Sequence, residues 1–411
     1  VSVPPTPAAV PLGTARSAAA RLLGRLERNE SALRLAVTGE TRRMAPWVRR
    51  LDLLATAHEA APLLDALAQA PRVAAVLTRA ERSVEVQLDD GLRVRLEVLA
   101  EEAEFGPALV RATGPTAYVG LLEARAAALG LVWRGHTLWQ GSERLVLWEE
   151  AEVYERLGLE RPAPELRERA LPGAEVADPV VMTDIRGAAG LHVKPGGGRY
   201  GLKEMAARAQ REGYGWSLLV APADEGTTVE QAQSALAGWN EDGETSAPGR
   251  LALEVLLGAA SPDAGGAPLL LASAVSHDAT ATAELTRAAR DPRYDAFWLR
   301  APPAPPGLPE RGPDLRPLLQ ALAATGAALA VSPPPHHPRP EPELLEAALA
   351  LGVPLLLLAD ARDLVGVDDL VLSVGLARRA GARREQVLNT LDLAGFDAWL
   401  ARRRARAGGG A

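Results

Sequence analysis

The sequence predicts an α/β protein of two or three domains, ending in a distorted seven-stranded α/β barrel or a doubly wound sheet. Three observations carry this expectation. The chain has 411 residues, more than one hydrophobic core usually supports. Its first 100 residues hold short alternating strands around tight turns. From residue 190 onward, strand-like runs alternate with helical patterns, the sign of parallel strands joined by crossovers.

In chain order, Ala15, Ala18, Ala19, Leu22, Leu23 and Leu26 fall at helical spacing within 14–28, so an amphipathic helix is expected there. A strand at 33–37 reaches Thr38-Gly39, and a short arginine-bearing loop leads to a second strand at 51–55. A helix at 59–69 and a strand at 73–77 follow. Strands at 83–88 and 92–98 flank Asp89-Asp90-Gly91, and alternation around Asp-Gly is a strong hairpin signal. A small α/β segment spans about 105–160, and Pro162-Ala163-Pro164 opens a linker running to about 178. The expected domains are therefore 1–104, 105–178 and 179–411.

In the second half, strands are expected at 191–193, 216–221, 251–258, 268–275, 295–301, 327–332 and 353–359. Helical patterns lie at 202–212, 281–290 and 343–351. Continuous apolar runs such as Val353-Pro354-Leu355-Leu356-Leu357-Leu358 suit strands buried on both faces. Chemistry in such folds sits beyond the C-terminal ends of the strands. The Pro-rich stretches 301–313 and 333–342 read as stiff loops at two of those ends.

Composition narrows the function. With no cysteine, disulfides, thiolate metal sites and cysteine nucleophiles are excluded. No apolar run approaches a membrane span, and the opening Val1-Ser2-Val3-Pro4-Pro5 is no secretory signal. A cytoplasmic protein without a membrane partner is expected. The net charge of −7 argues against indiscriminate coating of nucleic acid. Residues 1–100 nevertheless hold 14 Arg against 11 acidic side chains, and the 402–406 tail is basic. Lys194 and Lys203 are the only lysines, so the arginine excess reads first as the compositional bias of a GC-rich genome. No Gly-x-Ser-x-Gly elbow supports a serine hydrolase. Gly196-Gly197-Gly198 lacks the context of a P-loop or a dinucleotide fingerprint. His58 and His136 have no partners at metal-ligand spacing, and His336-His337 sits among prolines.

Thr38-Gly39-Glu40-Thr41-Arg42-Arg43, followed by Arg50-Leu51-Asp52-Leu53-Leu54, resembles the nucleotidyltransferase-type palm of bacterial family X DNA polymerases. That family has Gly-Ser-x-Arg-Arg, then Asp-x-Asp on a strand, then a third Asp on a later strand. The resemblance implies two Mg²⁺ ions held by carboxylates, one activating the primer 3′-hydroxyl and one escorting the triphosphate. Here Asp52 fills the second position of the pair, whereas Arg50 and Arg95 stand at the other two carboxylate positions and Glu40 replaces the serine. Thr113-Gly114-Pro115-Thr116-Ala117-Tyr118-Val119 resembles the family's small α/β thumb, with its polar members replaced. Glu152-Val153-Tyr154-Glu155-Arg156-Leu157-Gly158-Leu159 matches the stretch that follows.

The last half resembles the family's polymerase-and-histidinol-phosphatase (PHP) barrel. Asp184-Ile185-Arg186-Gly187 and Leu191-His192-Val193-Lys194 match its opening Asp-Ile-Arg-Gly-Asp-Leu-His-x-His. His192, Glu254 and Asp360 survive from the ligand set that the resemblance implies, while Gly190, Lys194, Pro222 and Arg362 replace others. A further ligand position falls near Ser276-His277, and Val387-Leu388-Asn389-Thr390 matches the closing helix. The resemblance runs from about residue 10 to 404 and does not include the family's helix-hairpin-helix region.

The implied function is that of a degenerate, non-catalytic family X relative linked to DNA repair. It would bind DNA weakly through phosphates, or a nucleotide, or a repair protein. Two alternatives stand beside this: an enzyme with residual polymerase or 3′–5′ exonuclease activity, and a structural or regulatory subunit. No cofactor and no metal are expected, with His192, Glu254 and Asp360 kept as ordinary hydrogen-bonding residues. Gly39, Arg42 and Arg43 are the candidate nucleotide or phosphate contacts. For the two arginines, salt bridges to Glu40 and other local acids are an equal alternative. Asp52 is expected to pair with Arg50, Arg95 or both.

Overall fold

The computed structural model describes residues 9–168, 178–194, 198–222, 234, 237, 248–256, 269–274, 279–299, 314–332 and 342–408. Both Pro-rich stretches (301–313 and 333–341), Ser276-His277, His336-His337 and Gly196-Gly197 lie outside them. The chain forms two compact units, Val1–Ala177 and Asp178–Ala411.

In the first unit, β1 (Val10–Pro11) leads into α1 (Leu12–Leu26), then β2 (Ala32–Thr38) and the short α2 (Gly39–Arg42). Next come β3 (Trp47–Val48), β4 (Arg50–Ala57), α3 (Ala60–Ala68), β5 (Val73–Arg79), β6 (Ser83–Leu88) and β7 (Arg93–Leu99). The main sheet has the order β2-β4-β7-β6-β5, with β4 and β7 parallel and the other neighbours antiparallel. Alternation sorts its two faces. Leu51, Leu53, Val84, Val86, Val94 and Leu96 are buried, whereas Arg50, Asp52, Arg93, Arg95 and Glu97 occupy the intervening positions. Only the end of that charged face is closed, where Leu54 and Leu99 meet Phe105, Ala108 and Leu109.

Those last residues belong to α4 (Phe105–Thr113), followed by α5 (Thr116–Ala128), β8 (Leu131–Arg134), β9 (Thr137–Gln140), β10 (Glu143–Leu145) and α6 (Glu150–Leu157). The three strands form an antiparallel sheet. A second core of Val110, Tyr118, Leu122, Leu131, Leu138 and Tyr154 holds this part together. The two buried tyrosine hydroxyls, Tyr118 and Tyr154, satisfy each other at 3.1 Å.

The second unit is a closed barrel of seven parallel strands in sequence order. They are β11 (Gly187–His192), β12 (Trp216–Pro222), β13 (Gly249–Leu256), β14 (Leu270–Ala274), β15 (Ala296–Leu299), β16 (Ala328–Val331) and β17 (Leu355–Ala361). Helices α7 (Leu202–Arg211), α8 (Ala279–Ala288), α9 (Arg316–Thr325), α10 (Pro342–Ala350), α11 (Leu370–Arg379) and α12 (Leu393–Gly408) accompany them. Of the two expected sheet forms, the chain adopts the barrel. Its interior holds Leu218, Val220, Leu271, Trp298, Leu356 and Leu358, with Phe396 and Trp399 of α12 packed against them. The outer faces of the same strands meet helix residues such as Met205, Leu285, Leu318 and Val374. Apolar environments on both faces explain why these strands read as continuous hydrophobic runs.

The first barrel strand begins four residues earlier than the sequence suggested, at Gly187 rather than 191. Gly187-Ala188-Ala189-Gly190 has no β-branched or aromatic residue, so its strand character is invisible to propensity. Bulk is excluded there: a Cβ on Gly187 would fall 2.0 Å from the Trp216 ring. The seam between β11 and β17 rests on two register pairs, Ala189↔Leu358 and Leu191↔Ala361, with a bulge between them. The buried Asn389 side chain ties the seam further. Its Nδ2 donates to Gly187 O (3.0 Å) and Leu357 O (2.9 Å), and its Oδ1 accepts from Leu357 N at 2.7 Å.

Candidate functional site

The charged face of the main sheet is the first candidate site. Parallel register sets Asp52 of β4 beside Arg95 of β7 and Arg50 beside Arg93. Arg50 and Asp52, two residues apart on one strand, share a face. The Arg50 Nε donates to Asp52 Oδ1 at 2.7 Å. Arg95 stands 3.6 Å from Glu97, which in turn faces His136 at 3.0 Å. Of the two arginines expected to neutralise Asp52, Arg50 makes the direct pair and Arg95 acts through its nearby charge. Burial raises the Asp52 carboxyl above its ordinary value in spite of both cations.

Gly39 makes this arrangement sterically feasible. It sits at φ +58, and a Cβ there would lie 2.7 Å from Asp52 Oδ2. Only glycine both adopts that left-handed turn readily and lets β2 enter α2 so close to the carboxylate.

Two adjoining hollows open on this face. One, of about 390 Å³, is bounded by Gly39, Glu40, Arg49, Arg50 and Asp52 among others. The other, of about 260 Å³, is bounded by Thr38, Asp52, Arg95, Glu97 and Arg111 among others. Their combined walls carry Arg43, Arg49, Arg50, Arg93, Arg95 and Arg111, and each stands within 4.0 Å of a carboxylate, Glu168, Glu40, Asp52, Glu85, Glu97 and Glu123 in turn. Two divalent metals do not fit such a wall, because its central carboxylate is already hydrogen-bonded to a guanidinium and its neighbours repel cations.

Arg42 and Arg43 have other partners. Arg42 grips the buried Glu150 with both terminal nitrogens, at 3.1 and 3.0 Å. Arg43 donates to Glu168 Oε1 (3.0 Å) and Thr113 O (2.7 Å). Glu40 instead pairs with Arg49 at 3.1 Å. Glu150 also takes Arg167 at 2.8 Å and Arg161 at 3.4 Å. Burial alone would push its carboxyl up, but Arg167 and then Arg42 outweigh burial and hold it down to about 2. This network ties α2 to the start of α6. The sequence signal for it was faint, a Glu at the first position of a helix with arginines scattered before and after.

The barrel mouth is the second candidate. His192, Glu254 and Asp360 lie in the last three residues of strands β11, β13 and β17, and all three are buried. His192 Nε2 and Asp360 Oδ1 lie 2.9 Å apart, a close contact not aligned as a hydrogen bond. Arg362 approaches the same oxygen at 3.7 Å, and the Trp298 ring lies 5.9 Å from His192. Glu254 sits beside Pro222 in register. Among the described residues, no three His, Asp or Glu side chains stand together as metal ligands. Gly190 has φ +79, and a Cβ there would meet the Leu358 Cβ at 2.7 Å, so no ligating side chain fits at that position. Lys194 is exposed. Asp360 itself has φ +49, a conformation uncommon for a non-glycine residue.

Two mouth residues escaped the sequence reading. Ser273 and Ser332 are fully buried, and their hydroxyls have no hydrogen-bond partner among the described residues. Each lies two residues beyond an interior position, Leu271 and Ala330, and so on the inward face. A serine closing an otherwise apolar strand run was the available signal.

No family model matches the chain, and no curated protein matches it.

Proposed function

We propose that the chain is a non-catalytic relative of the bacterial family X DNA polymerases that binds the phosphate backbone of DNA in its palm. The Arg50–Asp52 ion pair at 2.7 Å, with Arg95 alongside, carries this reading. In the family that face holds three carboxylates and two metals. With two of the three replaced by arginine, the same surface favours phosphate. Support comes from the order of the framework motifs, and from a strand register that brings positions 50, 52 and 95 onto one face, as a shared two-metal centre requires. The barrel fits the same history, with a buried His192–Asp360 contact and an arginine beside it where the family binds metal.

Primer extension and anisotropy on a gapped duplex test the proposal together. The expected result is salt-sensitive binding with no nucleotide incorporated in either Mg²⁺ or Mn²⁺. Incorporation abolished by Asp52→Ala would overturn the non-catalytic reading, and absence of binding at low salt would overturn the DNA reading.

A further inference from the structure

A second hollow, of about 170 Å³, lies between α1 and the turn that enters β5, and it shares no lining residue with the cleft. Its floor is apolar, formed by Ala18, Leu22 and Leu88, all buried. Its rim is cationic, formed by Arg21, Arg25, Arg28 and Arg72. Arg21 and Arg25 are one helical turn apart, a spacing at which like charges repel, so the cluster is costly unless something offsets it.

The local structure offsets only part of it. Arg25 Nε donates to Ala66 O at 2.9 Å and its terminal nitrogen to Gln69 O at 3.4 Å, so it caps the C-terminal end of α3. Arg72 donates to Asp89 Oδ2 (3.1 Å) and Asp90 Oδ2 (3.2 Å). Its backbone is held at φ +70, with its carbonyl accepting from Asp89 N at 2.8 Å. An arginine rarely occupies that left-handed region, and strain of this kind clusters at ligand clamps. Arg21 and Arg28 are exposed and make no ion pair among the described residues. Four guanidinium groups against two carboxylates leave a surplus of two positive charges around an apolar floor.

We propose that this hollow binds a phosphate monoester carrying a single ring, with the ring on Leu22 and Leu88 and the phosphate between Arg21, Arg28 and Arg72. A phosphate monoester carries about −1.5 to −2 charges at neutral pH, which matches the surplus. Guanidinium groups suit its oxygens geometrically. An apolar cavity of about 150 Å³ accepts a benzene ring, so the floor has room for one ring and little more. The apolar floor separates this ligand from free inorganic phosphate, which has nothing to place on it.

Calorimetric titration of the full chain with phenyl phosphate and with inorganic phosphate tests the assignment. Phenyl phosphate is expected to bind about tenfold more tightly than inorganic phosphate, because only it covers the apolar floor. The double variant Arg21→Gln/Arg28→Gln should weaken phenyl phosphate binding about tenfold or more, with its melting temperature unchanged in the absence of ligand. Arg50→Gln/Arg95→Gln, which empties the cleft of two cations, should leave phenyl phosphate affinity unchanged. Equal affinity for the two probes, no binding at millimolar concentration, or loss of binding only in the cleft variant would each overturn the proposal. Loss only in the cleft variant would move the phosphate to the cleft and leave the DNA reading standing, and the other outcomes do not touch that reading, so the two fail separately.

Discussion

At the scale of single residues, two carboxylates of the first unit contrast. Asp52 is paired with an arginine whose side chain is 41% exposed, and burial keeps its carboxyl raised. Its charge therefore contributes little to stability, since pairs with a well-solvated partner are worth about 0–1 kcal/mol. Asp52→Asn should shift the urea midpoint only slightly and increase affinity for a polyanion, because it removes a negative charge from the cleft wall. A large loss of stability would show instead that the ion pair holds the sheet. Glu150 is the opposite case. Its partner Arg167 has a fully buried side chain, so Glu150→Gln leaves that cation uncompensated, and a loss of about 3–5 kcal/mol is expected at neutral pH. The Glu150 carboxyl is lowered from 4.5 to about 2. Its contribution is thus complete above about pH 4.5 and is lost as the pH falls towards 2. Urea melts at pH 7 and pH 3 should show the gap between wild type and Glu150→Gln narrowing in acid. A gap that stays constant would assign the loss to packing.

At the scale of elements, what the sequence revealed depended on how much of each signal was local. The β6–β7 hairpin was legible because strict alternation surrounds Asp90-Gly91, and β17 was legible from its leucine run. The start of β11 was not, because its glycines answer to distant neighbours, the Trp216 ring and the Leu358 side chain. The partners of Arg42 and Arg43 were hidden for the same reason. Glu150 and Glu168 lie more than a hundred residues away, and spacing carries no record of them. Asn389 likewise appeared only as part of a closing-helix motif. Its mechanical role follows from the structure: it supplies three hydrogen bonds to a seam that has two register pairs. Asn389→Ala removes three hydrogen bonds from a buried place and leaves Leu357 N–H without its acceptor, and a buried group left unsatisfied costs about 1–3 kcal/mol. The barrel is expected to lose several kcal/mol of stability, and hydrogen exchange at Leu357 should accelerate before that of central β13. Retention of wild-type exchange at Leu357 would mean that backbone pairing alone closes the barrel.

At the scale of the whole molecule, the net charge of −7 and the exposed arginines of the cleft act on a polyanion in opposite directions. Average charge repels DNA, so any attraction must be local and short-ranged, within a Debye length of about 8–10 Å. The basic 402–406 tail adds less than its sequence promised. Arg403 is buried and donates to Tyr294 O at 2.8 Å, and Arg404 pairs with Asp295 at 2.9 Å. Both are structural parts of the second unit. On the proposed DNA reading the cleft supplies the contacts, led by Arg49 with a side chain 69% exposed, whereas Arg404, as exposed as Arg95, is held by the fully buried Asp295. Each phosphate neutralised contributes about −0.9 to the slope of log K against log salt. Arg49→Gln and Arg95→Gln should therefore each flatten that slope by about 0.9 while leaving thermal stability nearly unchanged. Arg403→Gln and Arg404→Gln should do the reverse, lowering the melting temperature and leaving the slope alone. Binding of a gapped duplex measured by anisotropy between about 50 and 200 mM salt resolves the difference. A slope that responds to the tail and not to the cleft would move the DNA surface from the sheet to the end of α12.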